Sequence, residues 1–103
     1  MIRLQWTGRI GRGKNLGAIQ WAKEVAEYLG SKYPKILAIA AYEEHFGNVN
    51  TIHIISDYES LATLESVEEQ FPSDAGFQAI FKKSNDAGLF IEGGIHGTLL
   101  KSL

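Results

Sequence analysis

Ile36-Leu37-Ala38-Ile39-Ala40-Ala41-Tyr42, followed after a turn by Thr51-Ile52-His53-Ile54-Ile55-Ser56, is the stretch that decides the architecture. The first run is apolar almost throughout, and its alanines would suit a helix. Pro34 just before it and the Gly- and Asn-bearing Phe46-Gly47-Asn48-Val49-Asn50 just after it favour a strand. The second run is rich in β-branched residues. Together they predict a hairpin.

Working outward, Ile2, Leu4, Trp6 and Ile10 fall on one parity and Arg3, Gln5, Thr7 and Arg9 on the other. That period of two marks a strand with one buried and one polar face. Gly8, Gly11 and Gly13 break the strand, and Asn15 is the expected helix cap. From Leu16 to Tyr33 the period changes. Ala18, Trp21, Ala22, Val25, Ala26 and Leu29 recur at three- and four-residue steps, so a helix runs to Pro34. Beyond the hairpin, Asp57 or Ser60 caps a second helix with a stripe of Leu61, Leu64, Val67 and Phe71. Pro72-Ser73-Asp74 interrupts it, and Ser73 or Asp74 caps a short continuation carrying Phe77, Ile80 and Phe81. Asn85-Asp86-Ala87-Gly88 ends that continuation, and a last strand spans Leu89 to Leu100 with a bend at Gly93-Gly94. The order βαββαβ is the ferredoxin-like arrangement: an antiparallel four-stranded sheet with two helices on one face.

The chain of 103 residues fits one such domain, residues 1–103. It is 45% hydrophobic and 21% charged, which excludes a disordered chain. With no cysteine there is no disulfide framework or thiol nucleophile, and a reducing, cytoplasmic setting is expected. Met1 to Trp6 lacks the apolar run of a signal peptide, and no stretch is long enough to span a membrane. A formal charge of −2 excludes a global field attracting nucleic acid. The expected partners are a second copy of the chain and a small-molecule ligand, with neither nucleic acid nor membrane.

Helices on one face leave the other face of the sheet open. Arg3, Gln5, Thr7 and Arg9 lie there, with His53 from the third strand; His96 and Thr98 share a parity on the last strand, whose phase the bend at Gly93-Gly94 leaves open. The strand from Ile36 to Tyr42 is apolar on both sides, and such a strand is buried on both. A second copy is the simplest cover, giving a homodimer.

Two segments carry a family resemblance. One is Gly13-Lys14-Asn15-Leu16-Gly17-Ala18-Ile19-Gln20-Trp21-Ala22-Lys23-Glu24-Val25 in the first helix. The other is His53-Ile54-Ile55-Ser56-Asp57-Tyr58-Glu59-Ser60-Leu61-Ala62-Thr63-Leu64-Glu65, joining the third strand to the second helix. The chain resembles the dimeric α+β barrel proteins, in particular the NIPSNAP-like and antibiotic-biosynthesis-monooxygenase-like group. The resemblance implies two protomers packed sheet to sheet. It does not choose a reaction, because that superfamily includes cofactor-free monooxygenases, haem-degrading enzymes, isomerases and stress-response proteins.

His53 is the candidate catalytic residue: a base near neutral pH, or else an interface histidine satisfied by a neighbour. Arg3, Gln5, Tyr42 and His96 are candidate substrate-binding residues. Gly8-Arg9-Ile10-Gly11-Arg12-Gly13-Lys14 matches the G-x-x-x-x-G-K core of a phosphate loop, but Asn15 stands where the magnesium-binding hydroxyl belongs. An ordinary strand–helix turn is the expectation, with Arg9, Arg12 and Lys14 able to attract an anionic group. Glu43-Glu44-His45 reads as hairpin decoration, Trp6 and Trp21 as core. No cofactor and no metal site is assigned. The functional expectation is a cofactor-independent monooxygenase or isomerase acting on a small organic molecule; the alternatives are a non-catalytic binding or stress-associated dimer and a pure dimer scaffold.

Overall fold

The computed structural model describes all residues, 1–103. The alternation at the N-terminus forms β1 (Ile2–Ile10), and the ambiguous run forms β2 (Ala38–Glu43), paired with β3 (Thr51–Tyr58). Strand β2 starts two residues later than the apolar run. Ile36 sits instead in a turn, its N–H donating to the Tyr33 carbonyl at 3.0 Å. With β4 (Phe90–Lys101) these strands make one sheet in the order β2-β3-β1-β4, every neighbouring pair antiparallel.

On one face lie three helices: α1 (Asn15–Lys32), α2 (Leu61–Glu68) and α3 (Ala75–Ala87). Two were expected, the last segment counting as a short continuation. Pro72 opens a 3₁₀ turn at Phe71–Ser73, and Asp74 then caps α3 by accepting the Phe77 N–H at 3.0 Å. A proline that cannot donate and a new cap turn the continuation into a separate helix, longer than α2. Ser60, and not Asp57, caps α2, accepting the Thr63 N–H at 3.2 Å; Asp57 remains in β3. Asn15 is not a cap either. Its amide donates to the Asn50 side chain at 2.8 Å, which ties the start of α1 to the end of the hairpin. No helix is long and apolar enough to cross a membrane.

The α1 stripe is buried at Ala18, Trp21, Ala22, Val25 and Leu29. It packs with Ile2, Ile10, Ile52 and Ile54 of the sheet and with Leu64, Val67 and Ile80 of the later helices. Trp21 donates its indole N–H to the Ile80 carbonyl at 2.9 Å, so the polar atom of a buried aromatic is satisfied. Two glycines are required by geometry. Gly93, at φ 76°, lets β4 bulge where its register against β1 shifts, and a Cβ on Gly8 would lie within 3 Å of the Trp6 and Phe90 rings.

The opposite face carries no helix. Arg3, Gln5, Thr7 and Arg9 lie there with Ile55 and Asp57 of β3, Ala38 and Ala40 of β2, and Thr98 and Leu100 of β4. The apolar outer side of β2 is left bare, and Tyr42 is 54% exposed.

Candidate functional site

The antiparallel register sets Tyr42, His53, Thr7 and His96 side by side across four strands of the open face. His53 is half-buried and is engaged at both ring nitrogens. Nε2 lies 2.6 Å from Glu44 Oε1, and Nδ1 lies 2.8 Å from Thr7 Oγ1 with Gln5 Nε2 at 3.5 Å. The other Glu44 oxygen accepts the Asn48 N–H at 2.8 Å. The bond to His53, followed by that from Asn48, holds the Glu44 carboxyl below its usual range. An ionised Glu44 only accepts, so Nε2 carries a proton, and the ring is held between Glu44 on one side and Thr7 and Gln5 on the other.

The remaining candidates are also on this face. Arg3 makes a two-pronged pair with Asp57, at 2.7 and 3.0 Å, and that contact lowers the Asp57 carboxyl. Arg3 is therefore already committed to a carboxylate. His96 is exposed on edge strand β4. A shallow depression of about 120 Å³ joins Arg3, Tyr42, Ile55 and Asp57. Glu44, read as decoration, is instead the partner of His53. Tyr42 and Glu44 share a parity, and the hairpin carries that parity onto the His53 face.

A larger space lies on the other side of the sheet. A cavity of about 270 Å³ opens between the sheet and the helices. Its floor is Leu4 and Trp6 of β1, Ile39 of β2 and Ile54, Ser56 and Tyr58 of β3; Val25 and Leu29 of α1, Glu68 of α2 and Phe71, Phe77 and Phe81 close it above. The aromatic wall is built by contact. Phe71 stacks on Phe77 at 4.1 Å, Phe77 leans on Phe81 at 4.6 Å, and Trp6 packs on Trp21 at 5.4 Å between ring centres. Trp21 is core, as expected, while Trp6 has a second role as cavity wall.

Ser56, Tyr58 and Glu68 carry oxygens among the lining residues, and Trp6 an indole N–H. Burial pushes the Tyr58 phenol up, a bond with Ser56 partly offsets this, and the charge of Glu68 adds to the rise. Tyr58 thus stays protonated and is a donor, beside a hydroxyl and a carboxylate. Such a site grips an apolar body and orients one polar end. None of Arg3, Gln5, Tyr42, His53 or His96 touches this cavity. Its one legible sign was Ser56, a polar residue on the apolar parity of β3.

A second polar cluster has a structural role. Asp74, buried under α3, accepts the hydroxyls of Tyr28 and Tyr33 at 2.5 Å each and lies 3.0 Å from Lys32 Nζ. Burial pushes its carboxyl up, but these donors and the Phe77 N–H outweigh it and hold the group well below the usual range. Burial, then the bond to Asp74, drives Tyr33 up to about 12. Elsewhere, the Gly8–Lys14 segment is a strand end and a tight turn, with the Lys14 N–H donating to the Gly11 carbonyl at 3.0 Å. No group of three or more histidine or carboxylate side chains is placed to hold a metal ion.

A family model described as NIPSNAP matches residues 10–93. Among solved structures, the chain is similar to an uncharacterised NIPSNAP domain protein from Burkholderia xenovorans, at 16% identity and TM-score 0.78, covering 100% of this chain and 95% of that one. It is similar to a NIPSNAP family protein from Agrobacterium tumefaciens strain C58 at 16% identity and TM-score 0.77, with 99% and 92% covered. A structure named antibiotic biosynthesis monooxygenase matches at 13% identity and TM-score 0.74, over 100% and 99%. At these identities the likeness is one of fold. No curated protein matches the chain.

Proposed function

Given that the chain belongs to the NIPSNAP family, we propose that it works as a cytoplasmic homodimer, packed sheet to sheet, whose protomers each take a small, largely apolar organic molecule into the cavity beneath the helices. The observation carrying this reading is the cavity: about 270 Å³, aromatic and aliphatic on most sides, with Ser56, Tyr58 and Glu68 supplying oxygens. The reaction class we favour is cofactor-independent oxygenation or isomerisation. It is supported by the fold shared with a structure named antibiotic biosynthesis monooxygenase and by hydrogen-bonding groups beside the bound molecule. Tyr58 and Ser56 would orient the ligand, and Glu68 would accept its proton or hydrogen bond.

The dimer is supported by the uncovered outer side of β2 and by Ile55, Thr98 and Leu100 around it. In such a dimer a roof from the partner would enclose the open face. A second reading then places substrate over the sheet, held by Arg3, Gln5, Tyr42 and His96 with His53 as base. The Thr7–His53–Glu44 chain favours it as an oriented imidazole. The third reading, a binder without turnover, draws on the same chain, which engages both ring nitrogens of His53 within the protein.

Thermal unfolding against a panel of small aromatic compounds tests the main reading. A ligand at a hundred times its Kd adds ~2.7 kcal/mol, a rise of roughly 10 °C or more for a domain of this size. An oxygen electrode and product analysis on the stabilising compounds then separate enzyme from binder. Absence of stabilisation by every compound defeats the cavity reading. His53→Ala with unchanged turnover of a found substrate defeats the second.

A further inference from the structure

On the reading that the cavity beneath the helices holds the ligand, we propose that this ligand is a protonated amine, its apolar body among Trp6, Phe77 and Phe81 and its ammonium group at Glu68. Three independent features meet there. The first is the sign of the lining. Glu68 is a carboxylate, the other lining residues carry no charge at neutral pH, and no lysine, arginine or histidine is among them. Glu68 is exposed and so lies on the solvent side of the lining, where a ligand anion meets a like charge and an ammonium finds a partner.

The second is the field outside. No lysine or arginine occurs from residue 36 to residue 81. Glu65 on α2 and Glu69 just past its end accompany Glu68. The lysines on the elements closing the cavity from above are largely spoken for. Lys32 lies 3.0 Å from Asp74, Lys82 lies 2.6 Å from Asp86, and Lys83 lies 3.0 Å from Glu24. Lys23 belongs to a separate groove beside Glu43. The mouth therefore attracts cations and repels anions over distances of about a Debye length.

The third is the wall itself. Trp6, Tyr58, Phe71, Phe77 and Phe81 all border the cavity, and aromatic rings attract a cation at a few ångströms while accepting an apolar body equally well. Ser56, 5% exposed, puts a hydroxyl into the lining that can accept a second ammonium proton.

The test uses the intact chain and three probes of one shape: 2-phenylethylamine, 2-phenylethanol and phenylacetate. Their Kd values are read by thermal shift and tryptophan fluorescence, on the wild type and on Glu68→Gln. The amine is expected to bind about tenfold more tightly than the alcohol, the scale of one charge-assisted hydrogen bond, and phenylacetate more weakly than either. Glu68→Gln is expected to bring amine and alcohol within about threefold, the amine losing most because it loses the charge-assisted bond. An alcohol that binds as well as the amine, or a preference that survives Glu68→Gln, overturns the proposal and leaves the apolar cavity reading standing. Failure of all three probes to bind overturns both.

Discussion

Val25 reaches the cavity from the middle of α1 and is itself 3% exposed, so replacing it by phenylalanine pushes a ring into the empty space. At ~24 cal/mol per Å³, a closed void of 270 Å³ represents about 6 kcal/mol of unrealised packing. That is an upper bound, because this cavity has a mouth. Phenylalanine brings roughly four more carbons than valine, worth ~0.8 kcal/mol each, or about 3 kcal/mol if all are accommodated. Ordering a larger side chain offsets some of this, and helix propensity is nearly equal for the two residues. The expected net gain is about 1–2 kcal/mol. Urea unfolding is expected to show a higher midpoint at unchanged slope, and thermal unfolding a rise of ~4–8 °C per kcal/mol. Stabilisation by cavity ligands is expected to vanish in the same variant. A loss of 1–3 kcal/mol, the response of a filled core to overpacking, would refute the reasoning. The sign alone decides.

Further outcomes follow from the same packing and charge arguments. Asp74 is held below its unfolded carboxyl range, so its contribution is present above about pH 4 and disappears as pH falls through the folded value; acid unfolding followed by circular dichroism is expected to flatten in Asp74→Ala. Tyr33 is raised to about 12, so the contribution of its neutral form is full below about pH 10 and lost as pH rises through 12; Tyr33→Phe should resist that alkaline loss. Gly8→Ala puts a methyl against the Trp6 and Phe90 rings and is expected to reduce stability by ~1–3 kcal/mol in urea titrations. Ala40→Glu places a charge on the bare side of β2 and is expected to shift sedimentation to the monomer without changing the far-ultraviolet spectrum. A dimer that persists in that variant argues against the sheet-to-sheet assembly.

The site was less legible than the fold. Arg3, Gln5 and His53 were placed on one face by parity, because a strand has a period of two; the bend at Gly93-Gly94 left the phase of His96 open, and a β2 apolar on both sides did not say which way Tyr42 faces. Glu44 was read as decoration because its partner His53 lies nine residues away across a hairpin turn, and adjacent acids and histidines in one strand do not indicate such pairings. The cavity was invisible for a different reason. Each of Leu4, Trp6, Val25, Leu29 and Phe77 has the pattern of a core residue, and nothing in a periodic pattern tells whether two apolar surfaces touch or stand apart.

From the sequence alone came the order of elements, the antiparallel α+β sheet, the face that carries polar groups and the apolar character of β2. Local propensity, proline and glycine punctuation and side-chain period are properties of neighbours in the chain, and they suffice for that. Pro72 and Asp74 already marked the break after the second helix; the tertiary structure decided that the segment beyond it is a separate helix, longer than α2. It also decided that Arg3 is held by Asp57, that both nitrogens of His53 are bonded, and that an acid-edged void lies beneath the helices. Those outcomes depend on distances between residues far apart in the chain, and only the packed chain sets them.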